Sequence, residues 1–223
     1  MGVEELFDKL YSCLVDLDKD CVLDNVQKLL EKGVKAIDIV LGPMSKAMEK
    51  IGRLYEEGEY FIAELMEAAD IFKEAMKILE PRLRMEAKSM ASGRKRLKII
   101  LATVKGDIHD IGKTLVGVML QAAGHEVIDL GVDVDAEKII DAIKKYKPQI
   151  IGLSALLSTT ARYMRVIIEE LEKNGLRGKV KVLVGGAATT SEFAEKIGAG
   201  GWAPNAIEAV KLVNKIAEEY RDA

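Results

Sequence analysis

The hydrophobic period changes once along this 223-residue chain, and that single switch limits the architecture more than any other feature. From Val3 to about Glu86 the apolar residues fall at helical spacing, as in Leu6, Leu10, Leu14 and Leu17, and again in Leu65, Ala69, Phe72, Met76 and Leu79. No strand-like alternation interrupts them. Breaks at Asp18, Gly33 and Gly58 divide this half into about four helices, and Pro43 predicts a kink or restart inside the third. The expectation for residues 1–86 is a helical bundle. The stretch AKSMASGRKR, Ala87 to Arg96, is small, polar and basic and reads as a linker over residues 87–96.

Beyond the linker, short apolar runs alternate with helical segments. Strands fit Leu97 to Val104, Glu126 to Leu130, Gln149 to Ser154, Lys179 to Val184 and a shorter piece near Ala199 to Ala203. Helices fit between and after them, at Ile111 to Ala123, Ala136 to Tyr146, Thr160 to Lys173, Ser191 to Ile197 and Asn205 to Tyr220. Strand, helix, strand in repetition predicts an α/β domain over residues 97–223: a doubly wound, parallel five-stranded sheet of the flavodoxin or Rossmann type.

Composition removes several function classes. With 33 basic against 36 acidic residues there is no overall field to attract nucleic acid or an anionic membrane surface, and aromatics, at 5%, are too few for a base-stacking platform. No stretch approaches 18 uninterrupted apolar residues, and the start MGVEELFDKL reads as charged and amphipathic rather than as a basic region followed by an apolar run. The two cysteines, Cys13 and Cys21, form no C-x-x-C pair and read as helix core residues of a cytoplasmic protein.

In a doubly wound sheet, ligands bind beyond the carboxyl ends of the strands. Three loops lie there: GDIHDIG from Gly106 to Gly112, SALLSTT from Ser154 to Thr160, and GGAATT from Gly185 to Thr190. If the strand order is 2-1-3-4-5, strands one, three and four are neighbours and the three loops meet at one mouth. Asp107 stands two residues before His109, close enough for a hydrogen bond that fixes the ring tautomer and leaves the other nitrogen free. That dyad fits a general base, a metal ligand or a hydrogen-bonded loop histidine. No G-x-S-x-G elbow surrounds Ser154 or Ser158, His125 and the cysteines do not complete a zinc set, and no G-x-G-x-x-G follows the first strand.

The run Asp107-Ile108-His109-Asp110-Ile111-Gly112-Lys113 resembles the D-x-H-x-x-G motif of cobalamin-binding domains. Ser154-Ala155-Leu156 is similar to the S-x-L element of that family and Gly185-Gly186 to its G-G element, in the same order and on the expected loops. Ile51 to Leu79, IGRLYEEGEYFIAELMEAADIFKEAMKIL, resembles the helical cap of methionine synthase and of corrinoid methyl-carrier proteins.

The resemblance implies a bound cobalamin or related corrinoid with His109 as lower axial ligand to cobalt and Asp107 orienting it. It further implies contacts to the cofactor from Ile108, Asp110, Ile111, Gly112, Ser154, Leu156 and Ser158, with weaker ones from Lys113, Thr159 and Thr189. A slot for the nucleotide tail would be lined by Gly112, Gly117, Gly152, Gly185 and Gly186. Phe61, Leu65 and Met66 are the expected cap residues near the methyl group, although bundle core is the competing reading for each. Where methionine synthase extends its Asp-His pair with a serine, this chain has Thr160. The implied function is to carry a methyl group on cobalt between a substrate-specific methyltransferase and an acceptor methyltransferase, with a reductive activation protein as a further partner. Storage or sensing of cobalamin, or the cobalamin subunit of a mutase, are the alternatives.

Overall fold

The computed structural model describes residues 1–89 and 95–220. The chain divides into two compact units, Met1–Glu86 and Ala87–Ala223. In the first, α1 (Val3–Val15) and α2 (Lys19–Glu31) form a hairpin. Leu6, Leu10 and Leu14 of α1 lie on one buried stripe, as do Val22, Val26 and Leu29 of α2. Asp18 starts α2 by accepting a hydrogen bond from the Cys21 N–H at 3.0 Å, which satisfies one of the donors a helix start leaves open. Gly33, at positive φ, lies beyond the end of α2.

The third segment is interrupted at the predicted place: α3 (Ala36–Ile39) passes into a π-helical turn, Val40–Met44, and then α4 (Ser45–Glu56). Gly42 leaves helical geometry directly before Pro43, because the pyrrolidine ring crowds the preceding residue. The first turn of α3 is capped from a distance, with Glu86 accepting from the backbone N–H groups of Ala36 at 2.7 Å and Ile37 at 3.3 Å.

Two expectations change in this unit. Helix α5 spans Ile62–Ser89 and so takes in the first residues of the segment read as a linker. Leu79, Leu83 and Ala87 are fully buried at four-residue spacing, and that stripe carries the helix onward. Ser92, Gly93 and Arg94 of the expected linker lie outside the described residues. Cys13 and Cys21 are joined in a disulfide rather than packed as free thiols. The tight connection between the helices sets the last turn of α1 beside the first turn of α2, with their Cα atoms 5.8 Å apart.

In the second unit β1 (Lys98–Thr103), β2 (Glu126–Asp129), β3 (Ile150–Ser154), β4 (Lys181–Gly185) and β5 (Gly201–Ala203) form one parallel sheet in the order 2-1-3-4-5. Between and after them run α6 (Ile111–Ala122), α7 (Ala136–Tyr146), the short α8 (Ser158–Ala161), α9 (Tyr163–Lys173), α10 (Ser191–Lys196) and α11 (Ala206–Glu219). Alternate residues serve opposite faces. Ile100, Ala102, Ile151, Leu153, Val182 and Val184 pack with Ile139 and Ile143 of α7 and Met164, Ile167 and Leu171 of α9. On the other face Leu101, Gly152 and Leu183 share one register row. The helix after β3 begins two residues before the expected Thr160, because Leu157 O accepts from Ala161 N–H and closes a first turn. No helix among the described residues is long and apolar enough to cross a membrane.

Candidate functional site

The reversal of strand order between β1 and β3 brings the loops after them together. Asp107 is the joint. Its Oδ1 accepts from the His109 backbone N–H at 3.1 Å and meets His109 Nδ1 at 2.7 Å. Its Oδ2 accepts from Leu156 N–H at 2.8 Å, Leu157 N–H at 3.4 Å and Thr160 Oγ1 at 2.6 Å. The Asp107 side chain is completely buried, whereas that of His109 is 46% exposed.

Burial pushes the Asp107 carboxyl up, but hydrogen bonds from Thr160, His109 and the Leu156 N–H outweigh it and bring the pKa down to about 2. Asp107 is therefore an acceptor at neutral pH. An acceptor at 2.7 Å from Nδ1 requires the proton on that nitrogen, so Nε2 of the neutral ring carries the lone pair. Thr103 Oγ1, donating to the His109 carbonyl at 3.2 Å, ties the far end of the loop to β1.

The surroundings of His109 are apolar and open. Ile108 is 72% exposed, and Leu156 and Leu157 also turn large side chains to solvent. Asp110 and Gly112 are exposed and Ile111 is half-buried where α6 begins. Ser158 and Thr159, in the first turn of α8, are exposed, and Ser154 is half-buried at the end of β3. Lys113 is buried and forms an ion pair with Asp129 at the end of β2. Thr189 is buried away from the loop surface, donating to Gly186 O at 2.8 Å and accepting from Trp202 Nε1 at 3.0 Å.

Some of these glycines are also required by the chain's own packing. A Cβ on Gly186, which has φ +103°, would stand 2.2 Å from Ala155 O; one on Gly152 would stand 2.7 Å from Leu101 Cδ2. At Gly186 the clash is with backbone, so a side chain is excluded there, whereas at Gly152 the Leu101 side chain would have to shift. A Cβ on Gly185 would meet Ala203 O at 3.0 Å and one on Gly117 would touch Leu101 at 3.4 Å, whereas Gly112 faces open space.

In the helical unit Phe61 and Met66 are 67% and 65% exposed, with Ile62 beside them, and Leu65 is half-buried. Bundle core is thus the wrong reading for Phe61 and Met66. Large apolar side chains left in water at the start of α5 mark a surface made to be covered.

Sequence reasoning missed the Leu156 and Leu157 amides on Asp107, because backbone donors have no signature in side-chain identity. It treated His125 only as an absent zinc ligand. That ring is buried, accepts from Leu97 N–H at 3.3 Å and meets Asn214 Oδ1 at 3.1 Å, and so links the start of the sheet to α11.

Among the described residues no group of three or more His, Cys, Asp or Glu side chains could hold a metal ion. The held, exposed imidazole leaves its other ring nitrogen available as a base or as a ligand to a metal whose remaining donors come from elsewhere. It stands at the switch point of the sheet, where the resemblance to cobalamin-binding α/β domains implies the cobalt ligand. The B12 binding domain model matches residues 97–211, and a second model of that description matches residues 6–80. A corrinoid protein of Desulfitobacterium hafniense is 42% identical, covering 96% of this chain and 98% of that one. A dimethylamine corrinoid protein of Methanosarcina mazei is 40% identical over 96% and 97% of the two chains. Among solved structures, the monomethylamine corrinoid protein of Methanosarcina barkeri aligns with a TM-score of 0.84 at 32% identity, covering 96% of this chain and all of that one. The methanol:cobalamin methyltransferase complex of the same organism aligns with a TM-score of 0.52 at 28% identity, over 98% of this chain and 84% of that one. The chain belongs to the B12-binding corrinoid protein family, and it binds a corrinoid.

Proposed function

We propose that this chain carries methyl groups from a methyltransferase that demethylates a methylated amine to a second methyltransferase that serves the final acceptor, with His109 Nε2 as the protein's ligand to cobalt. The observation that carries the ligand assignment is the half-exposed His109 ring, whose Nδ1 is committed to a buried carboxylate. Methylated amines are favoured as the source because the mazei relative and the barkeri structure are named for dimethylamine and monomethylamine.

Bound corrinoid supplies a cobalt that accepts a methyl group and gives it up. The residues of the chain do the rest. Asp107 holds the ring by Nδ1 and keeps Nε2 directed outward as an electron-pair donor. Thr160, donating to Asp107 Oδ2, steadies that carboxylate and offers a hydroxyl through which a proton could reach the His-Asp pair. Ile108, Leu156 and Leu157 give the flat ligand an apolar seat.

A cytoplasmic location and a reductive activation protein belong to the same reading. In the cytoplasm the Cys13–Cys21 pair would be held as thiols, which alkylation of freshly lysed cells reports. The test of function is to load the purified protein with cobalamin, reduce its cobalt to cobalt(I) with a chemical reductant, and supply a methylamine-specific methyltransferase with its methylated amine. Methyl loading, followed by unloading to an acceptor through a second methyltransferase, is expected. A protein that binds cobalamin firmly yet exchanges no methyl group with either enzyme would be a storage or sensing module instead.

A further inference from the structure

The connection between β2 and α7 holds the His109 loop through Asp133, by its side chain and its backbone, and through the residue after it. Asp133 Oδ1 accepts from Gly106 N–H at 2.7 Å, and the Asp133 N–H donates to the carbonyl of Asp107 at 3.0 Å. These bonds run in opposite directions and bracket the peptide that joins Gly106 to Asp107, whose own N–H donates to Val104 O at 3.0 Å. Both ends of the bracket have left-handed backbone, with φ +82° at Gly106 and +52° at Asp133. Side chains rarely tolerate that region, and among non-glycine residues Asp and Asn are several-fold enriched there. The next residue continues the contact, with Val134 N–H donating to Thr103 O at 3.0 Å and Val134 bridging Val104 in parallel. Asp133 itself is exposed, so core packing does not explain why a carboxylate occupies a strained backbone position.

We infer that Asp133 is a positioning residue for the cobalt ligand: it pins the Gly106–Asp107 peptide and thereby the carboxylate that orients His109. The inference rests on the reading of His109 as ligand. Five donors converge on the two oxygens of Asp107, and all of these bonds require that its backbone stay in place. If the Gly106–Asp107 peptide swings, Oδ1 leaves Nδ1 and the ring is free to change tautomer or tilt. The plain alternative is that Asp133 only suits a left-handed turn. Glycine separates the two ideas, because it adopts φ +52° more readily than Asp but offers no acceptor to Gly106.

Two readouts test this: the cobalt absorption spectrum of cobalamin-loaded protein, which reports imidazole ligation, and nitrogen-15 NMR of the His109 ring in the protein before loading, which reports its tautomer. Wild type, Asp133→Gly, Asp133→Asn and His109→Ala are compared in each relevant assay. Asp133→Gly should keep or raise the melting temperature while weakening imidazole ligation about five- to tenfold and mixing the ring tautomers. Asp133→Asn, whose amide oxygen still accepts from Gly106 and which tolerates the left-handed backbone, should restore ligation to within about twofold. Wild-type ligation and a single tautomer in Asp133→Gly would overturn the inference, as would equal impairment in Asp133→Asn. If wild type and His109→Ala gave the same cobalt spectrum, the ligand reading itself would fall; the NMR of the unloaded protein would still show whether Asp133 orients the ring.

Discussion

Replacing Asp107 by Asn separates the orienting role of this residue from simple space-filling. The carboxylate accepts at both oxygens: two donors from His109 converge on Oδ1 and three, from Leu156, Leu157 and Thr160, on Oδ2. An amide of the same shape has one acceptor oxygen and one NH2 donor. If its oxygen stays with the three donors, its NH2 faces His109, so Nδ1 must become the acceptor and the ring proton moves to Nε2. That nitrogen then has no free lone pair for cobalt. The fall of the Asp107 pKa from the ordinary 3.8 to about 2 corresponds to about 2 kcal/mol in favour of the folded carboxylate at neutral pH, at about 1.4 kcal/mol per tenfold. The Asn variant forfeits that amount and meets the His109 backbone N–H with a second donor, so the unloaded protein should lose about 2–3 kcal/mol of stability. Imidazole ligation should weaken by about 10- to 100-fold, the usual cost of losing the partner behind a metal-bound histidine. Denaturant melts of the unloaded variant and cobalt absorption spectra of the loaded one measure the two effects. An Asn variant that ligates as well as wild type would refute the argument that Asp107 sets the tautomer.

Other outcomes follow from the same geometry. Asp107 has a lower pKa folded than unfolded, so its contribution to stability is present above about pH 4 and is lost as pH falls towards 2; acid titration of wild type against Asp107→Asn should show the gap between them closing over that interval. Gly186→Ala, which would press a Cβ to within 2.2 Å of the Ala155 carbonyl, should cost at least about 2 kcal/mol or prevent folding, as read by thermal melting. Phe61→Ser with Met66→Ser should leave the melt of the unloaded protein within about 0.5 kcal/mol, since both side chains are in water.

Much of the fold could be read from residue order because its signals are local. The runs Lys98–Thr103, Ile150–Ser154 and Lys181–Gly185 are short, apolar and spaced by helices, which leaves little but a parallel sheet. Pro43 marked its kink for the same reason, by removing a donor at a known position. What the sequence did not disclose depends on distant partners. The capping of Ala36 by Glu86 joins residues fifty positions apart, and the grip of Asp133 on Gly106 joins residues twenty-seven apart. The cysteine pair was a nearer miss: residues in the last turn of α1 and the first turn of α2 of a tight hairpin are neighbours whatever their separation suggests. At the site, Asp107 and His109 announced themselves by adjacency, and Thr160 by similarity to a known pattern. The open, apolar surfaces at Ile108 and Phe61 became visible only with the fold, since apolar identity alone cannot tell an exposed seat from a core.

The measurement that bears most directly on the central claim is the visible absorption spectrum of the cobalamin-loaded protein beside that of His109→Ala. With His109 on cobalt, wild type should show the spectrum of an imidazole-ligated corrinoid; the variant should show that of a cobalt lacking the imidazole, and added free imidazole should move it back towards wild type. Coincident spectra in the two proteins would contradict the assignment of His109 as the ligand.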